Sequence, residues 1–188
     1  MVDSVTAQSE LRDSYVHGGP GAVVSGFVWL AAARTASTSD IATGFTVLFL
    51  GGMLIFPVAT VIVRSLFHRA PPSKDNPGGR TVIETIFPML GGFLAAWLLM
   101  PHRPDLVFPL ASIAVGAHYF GFRTAYGDAT YWVLGSALCL VGVAAIFIEI
   151  PQGTAVPYIV AAIELAFGVW LTWIGRSRNR ARILSNSD

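Results

Sequence analysis

Glu164 is the residue whose chemistry asks most of its surroundings, because it is a carboxyl inside the apolar run Val156 to Gly175. At 1.5 Å per helical residue it would lie roughly 12 Å from one end of that run and roughly 16 Å from the other. A charge at the centre of a bilayer costs about 2.5–3.5 kcal/mol on insertion scales. Glu164 is therefore expected to be protonated, paired or facing water. The chemistry open to it is the uptake of a proton or the binding of a cation; the plainer alternative is a hydrogen bond between helices.

The densest polar group is His118, Tyr119, Arg123 and Tyr126. Tyr119, Arg123 and Tyr126 stand at i, i+4 and i+7 and so share one helical face. His118 lies about 100° round from Tyr119. Its depth would let it approach Glu164 directly or through one water. A carboxylate there would hold the imidazole in one tautomer and suit it to proton relay. The alternative is a hydrogen bond from His118 to a carbonyl across a helix interface. Glu84 falls at a depth similar to Arg123, which predicts an ion pair between them.

Other chemistry finds no support in the spacing. There is no glycine-rich phosphate loop, no His-Glu-x-x-His and no Gly-x-Ser-x-Gly. His17, His68, His102 and His118 are scattered, so no metal site and no cofactor is expected. Cys139 is the one cysteine, which excludes a disulfide framework and reads as a small packing residue.

These residues must be positioned by membrane helices. Hydrophobic residues make up 54% of the 188 and charged residues 12%, about half the usual share of a soluble domain. The net charge of +1 and the lack of a basic stripe argue against nucleic acid as a partner and leave the lipid bilayer. Six apolar runs follow one another: Gly21 to about Ser37, about Ile41 to Phe67, Val82 to Met100, Leu106 to about Thr124, about Ala129 to Ile150, and Val156 to Gly175. Each is near the ~20 residues that cross a bilayer. None alternates with period two, so the expected fold is all-α, a polytopic transmembrane helical bundle of six spans.

Residues 1–17 read as an N-terminal helix with a thin apolar stripe of Ala7, Leu11 and Tyr15, broken from the first span at Gly18-Gly19-Pro20-Gly21. Residues 18–175 form the membrane domain and 176–188 a basic tail placed against headgroups. With the N-terminus inside, ten of the 12 Lys and Arg fall on the cytoplasmic side and only Arg34 and Arg103 outside. This places both termini in the cytoplasm. Arg34, Asp40, Arg103, Asp105 and Glu149 then belong to the outer rim, and Trp29, Trp97, Trp132, Trp170, Trp173, Tyr131 and Tyr158 mostly to the interfacial aromatic belts.

Small residues predict close helix packing, and Gly51-Gly52 with Pro57 mirrors Pro88 with Gly91-Gly92. Packing with two kinks is the plain reading of this mirror, and broken helices lining a cavity the sharper one. Ile83-Glu84-Thr85-Ile86-Phe87 and Ile163-Glu164-Leu165-Ala166-Phe167 hint at an inverted three-plus-three repeat.

The polar N-terminal segment leading to Ser25-Gly26-Phe27-Val28-Trp29 resembles the start of a family of small bacterial membrane proteins of unknown function. Asn76-Pro77, Gly116-Ala117-His118-Tyr119 followed by Tyr126-Gly127, and the acidic last span with Glu164 carry the same resemblance. It covers nearly the whole chain and implies a six-span protein of the bacterial cytoplasmic membrane, with no activity attached. The leading functional expectation from the residues is a small transporter that uses a midplane carboxylate and needs to form a homodimer to enclose a pathway. A membrane-embedded enzyme using Glu164 and His118 on an apolar substrate, and a non-catalytic assembly protein, are the alternatives.

Overall fold

The computed structural model describes residues 3–148 and 154–185, with 178–185 described by their backbone alone. The helices are α1 (Ser4–Ser14), α2 (Gly19–Thr38), α3 (Ile41–Ser65), α4 (Gly78–Leu99), α5 (Val107–Tyr126), α6 (Thr130–Ile148) and α7 (Ala155–Ser185). From α2 to α7, six helices are long and apolar enough to cross a membrane. The expected helical bundle is what the chain forms.

Local signals set the boundaries. Asp40 caps α3, its Oδ1 accepting from the Thr43 backbone N–H at 2.8 Å. The Asn76 side chain accepts from the Gly78 N–H at 2.9 Å where α4 begins. Gly127 ends α5 in the left-handed region, and Asp128 then accepts from the Thr130 N–H at 2.9 Å to open α6. The first span starts earlier than expected, at Gly19, because Pro20 lies within its first turn, where a missing N–H costs nothing. The helix break sits instead at Val16–Gly18. The last helix runs on through Ser185, so the backbone of the basic tail continues the span. Arg178, Arg180, Arg182 and Glu149 lie outside the residues whose side chains are described.

Proline does not break the bundle. α3 continues through Pro57 and α4 through Pro88, and both rings lie on exposed faces. This favours the plain reading of the proline–glycine mirror, packing, over broken helices lining a cavity. α3 and α4 are outer helices that meet through Phe45, Phe49 and Phe93, with Phe45 and Phe93 centroids 5.6 Å apart.

The six long helices form two groups of three. In one, α2 lies between α3 and α7; in the other, α5 lies between α6 and α4. Each half of the chain, α2–α4 and α5–α7, thus keeps its first two helices together and gives its third to the other half. The arrangement is a three-plus-three grouping with exchanged third helices.

Absent side chains make the contacts within each group close. A Cβ on Gly168 would lie 2.6 Å from the Val23 backbone nitrogen, and one on Gly26 2.7 Å from Leu165. In the other group, a Cβ on Gly116 would lie 2.7 Å from the Gly135 carbonyl oxygen, and one on Gly121 2.3 Å from Thr85. In lipid, where apolar burial drives no association, this backbone proximity and its dispersion contacts hold helices together. Cys139 belongs to this layer, packed against Gly116. Trp29 departs from the expected aromatic belt: it is 1% exposed and sits between the groups against Phe108. Trp97, Trp132, Trp170 and Trp173 remain on the exposed surface.

At the N-terminal end, α1 lies across the bundle. Ala7 and Leu11 are buried, as their stripe predicts. Glu10 accepts from the backbone and side chain of Ser73 and from Asn76, which also donates to the Ala7 carbonyl. These donors hold the Glu10 carboxyl below its ordinary range, Asn76 contributing most. Gln8 donates to the Thr124 carbonyl, Arg12 to that of Tyr126, and Arg64 to that of Ser14.

Candidate functional site

Glu164 sits on α7 where the two helix groups meet and is 0% exposed. It is the tenth residue of its helix, about 14 Å from the helix start. α7 carries it there because Gly168 and Gly26 let α7 and α2 touch along their backbones. Tyr119 on α5, in the other group, donates its hydroxyl to Glu164 Oε1 at 2.9 Å. The Ser25 hydroxyl of α2 neighbours both groups. Oε2 of Glu164 is buried with no hydrogen-bond partner. A carboxyl with one oxygen held and the other unmatched pays desolvation without full compensation, which is uncommon in a purely structural contact.

His118 does not join this pair. It projects toward α4, where its Nδ1 lies 2.7 Å from Thr85 Oγ1. The Thr85 hydroxyl gives its proton to the Val82 carbonyl at 2.8 Å, so we assign the imidazole proton to Nδ1, donating to Thr85. Glu164 and His118 therefore face different helices, α5 and α4 respectively. The 100° offset between His118 and Tyr119 already contains this outcome: only one of two successive residues can face the seam.

Glu84 and Arg123 form no ion pair among the described residues, correcting the expected one. Glu84 points to the exposed face of α4, while the Arg123 guanidinium lies over the Trp132 ring at 5.2 Å. Similar depth does not give similar azimuth, and an aromatic face on the adjoining helix attracts a guanidinium without a carboxylate.

Tyr126 and Tyr119 belong to one aromatic cluster. Tyr119 stacks on Tyr131 with centroids 6.1 Å apart, and Tyr126 stacks on Phe122 at 5.9 Å. Tyr131, expected at the membrane surface, is 1% exposed. Its hydroxyl donates to the His17 carbonyl at 2.7 Å. The cluster fills the interior between Glu164 and the N-terminal end. There His17, itself 3% exposed, places Nδ1 3.5 Å from Asp128 Oδ2. Ser25, Tyr131, His17 and Asp128 are the residues that sequence reasoning did not single out. The signal for Ser25 was its place among the small residues of the first span, four after Gly21, which reads as packing and not as a partner for a carboxyl; the other three are joined by long-range geometry that no local spacing encodes.

Six membrane-length helices enclosing a buried carboxyl define a multi-pass helical membrane protein. The chain belongs to the family of unknown function DUF7010, whose pattern matches residues 5–173. No curated protein and no solved structure matches it.

Proposed function

We propose that this protein is a small membrane transporter in which Glu164 takes up and releases a proton or another cation between two moving helix groups. The observation that carries the reading is the fully buried Glu164 carboxyl, with Oε1 bonded across the seam to Tyr119 and Oε2 unpartnered. A carboxyl that changes its charge there changes the cost of keeping the seam closed, because a buried anion needs water or a cation and a neutral acid does not. The exchange of third helices between the two halves supports the reading, since an inverted repeat of this kind would give two related arrangements around one central site. The enzyme alternative lacks its acid–base pair, as Glu164 and His118 face different helices.

The charge pattern supports an orientation with both termini in the cytoplasm of a bacterial cell, and a homodimer is the assembly we propose for so small a transporter. The test needs no known substrate. Proteoliposomes on a solid-supported membrane are given a pH jump, and a transient charge displacement is expected that Glu164→Gln abolishes. A displacement of equal size in the variant overturns the reading.

A further inference from the structure

The link between α1 and α2 is held in an unusual backbone conformation. Val16, His17 and Gly18 have φ of 51°, 55° and 73°, three successive residues in the left-handed region. Glycine adopts it without penalty, but a β-branched valine does so only where its surroundings impose it. Those surroundings come from both helix groups. On one side, a Cβ on Gly175 of α7 would lie 2.9 Å from the Val16 carbonyl carbon, so that helix is pressed against the turn. On the other, Tyr131 of α6 donates to the His17 carbonyl, and Asp128, before α6, meets the His17 ring. A Cβ on Gly18 would lie 2.1 Å from the Tyr131 hydroxyl oxygen, so the turn and that ring fit only with glycine there.

Three arginines nearby are engaged elsewhere. Arg12 of α1 donates to the Tyr126 carbonyl, Arg64 of α3 to the Ser14 carbonyl, and Arg176 of α7 lies over the Phe67 ring. Asp128 is an acid that meets His17. The contacts of Asp128 and Tyr131 with the turn cross the same seam as the Tyr119–Glu164 hydrogen bond. Between the two crossings lies the aromatic cluster, with Tyr131 stacked on Tyr119.

We propose that His17, Asp128 and Tyr131 form a latch that closes the N-terminal-side route to Glu164, with α1 as the lid and the left-handed turn Val16–Gly18 as its hinge. The inference rests on the reading of Glu164 as the central group and names how access to it is controlled. Separation of the helix groups at this end removes the Tyr131 and Asp128 restraints together and leaves the turn packed against α7. The strained residues then relax, α1 swings with them, and the aromatic plug loses the Tyr131 anchor. While the latch is closed, Glu164 has no path to water on this side.

The test reads access and needs no transport. In the full-length protein with Cys139→Ala, Ser25→Cys reports on the space beside Glu164, and Ser112→Cys, buried between α5 and α6, reports on general loosening. Both are labelled with a small water-soluble thiol reagent. Asp128→Asn and Tyr131→Phe are expected to speed labelling at position 25 about fivefold or more, the population change that loss of a buried polar contact brings, with position 112 unchanged. His17→Asn, which accepts the left-handed backbone but removes the ring, should act like Asp128→Asn and carries the test if that variant does not fold. Labelling at position 25 that stays at the parent rate in these variants, or that rises equally at position 112, overturns the latch. Loss of the pH-jump displacement in Glu164→Gln with unchanged labelling would retain the transporter and remove the latch; the converse would do the opposite.

Discussion

The Tyr119 hydroxyl and the Glu164 carboxyl meet at 2.9 Å across the boundary between two helix groups. Each comes from a helix packed closely within its own group, so their bond reports the distance between the groups. Tyr119→Phe removes the donor that holds Oε1 across the boundary. The expected cost is about 1–3 kcal/mol, read from thermal or denaturant unfolding in detergent. In a cycle with Glu164→Gln, the two changes should be non-additive, with an interaction of about 0.5–3 kcal/mol. Strict additivity would mean that the two side chains do not share a contact.

Glycines that look equivalent in sequence should respond oppositely. Gly168→Ala would put a carbon 2.6 Å from the Val23 backbone nitrogen, where no flexible side chain can yield. Forcing the helices apart is expected to cost about 1–3 kcal/mol. Nothing lies within 4 Å of the Cβ position at Gly52 or Gly91, so alanine there should be neutral or stabilise by up to about 1 kcal/mol. Melting temperatures of the three variants decide the matter.

Gly18→Ala meets two separate obstacles, the Tyr131 hydroxyl and its own positive φ. In the Tyr131→Phe background the first disappears, because the next ring atom is 3.4 Å away. The substitution should therefore cost less there, with a residue of about 1–2 kcal/mol from the left-handed backbone. Equal costs in the two backgrounds would contradict the contact.

Asp128 gives the stability a pH dependence. Burial pushes its carboxyl up, but the Thr130 backbone and hydroxyl and the His17 ring outweigh this and hold it below the ordinary value. A depressed folded-state value means the fold favours the ionised form. Its contribution is present above the unfolded pKa of about 3.9 and is lost as pH falls through the folded value. The melting-temperature difference between the parent and Asp128→Asn should hold steady above about pH 5 and shrink on acidification below it. A difference that stays constant down to the acid limb would contradict the assignment.

The number of spans was legible because each helix must be apolar over its own length, a property local to the sequence. The burden on Glu164 was legible for the same reason, since a carboxyl deep in such a run must find a partner. Its partner was not. His118 and Tyr119 are adjacent in sequence and differ by one helical step, and the choice between them depends on the rotation of α5 against α7, which is set from other interfaces, at Gly116 and Gly121 for α5 and at Gly26 and Gly168 for α7. The packing reading of Pro57 and Pro88 is favoured over broken helices because a proline on an exposed face leaves helix continuity intact. The role of α1 was hidden too: its stripe of Ala7 and Leu11 predicts a packing face, but the surface it covers is assembled from Asn76, Thr124 and Tyr126. A left-handed Val16 runs against local propensity, so only tertiary contacts could produce it.

The central claim is that the Glu164 carboxyl exchanges a proton inside the bundle, and infrared difference spectroscopy during a pH titration of the reconstituted protein tests it most directly. The parent should lose a carboxylic C=O stretch as carboxylate bands grow, with that component missing in Glu164→Gln and displaced in frequency in Tyr119→Phe. Identical difference spectra for the parent and Glu164→Gln would contradict the account.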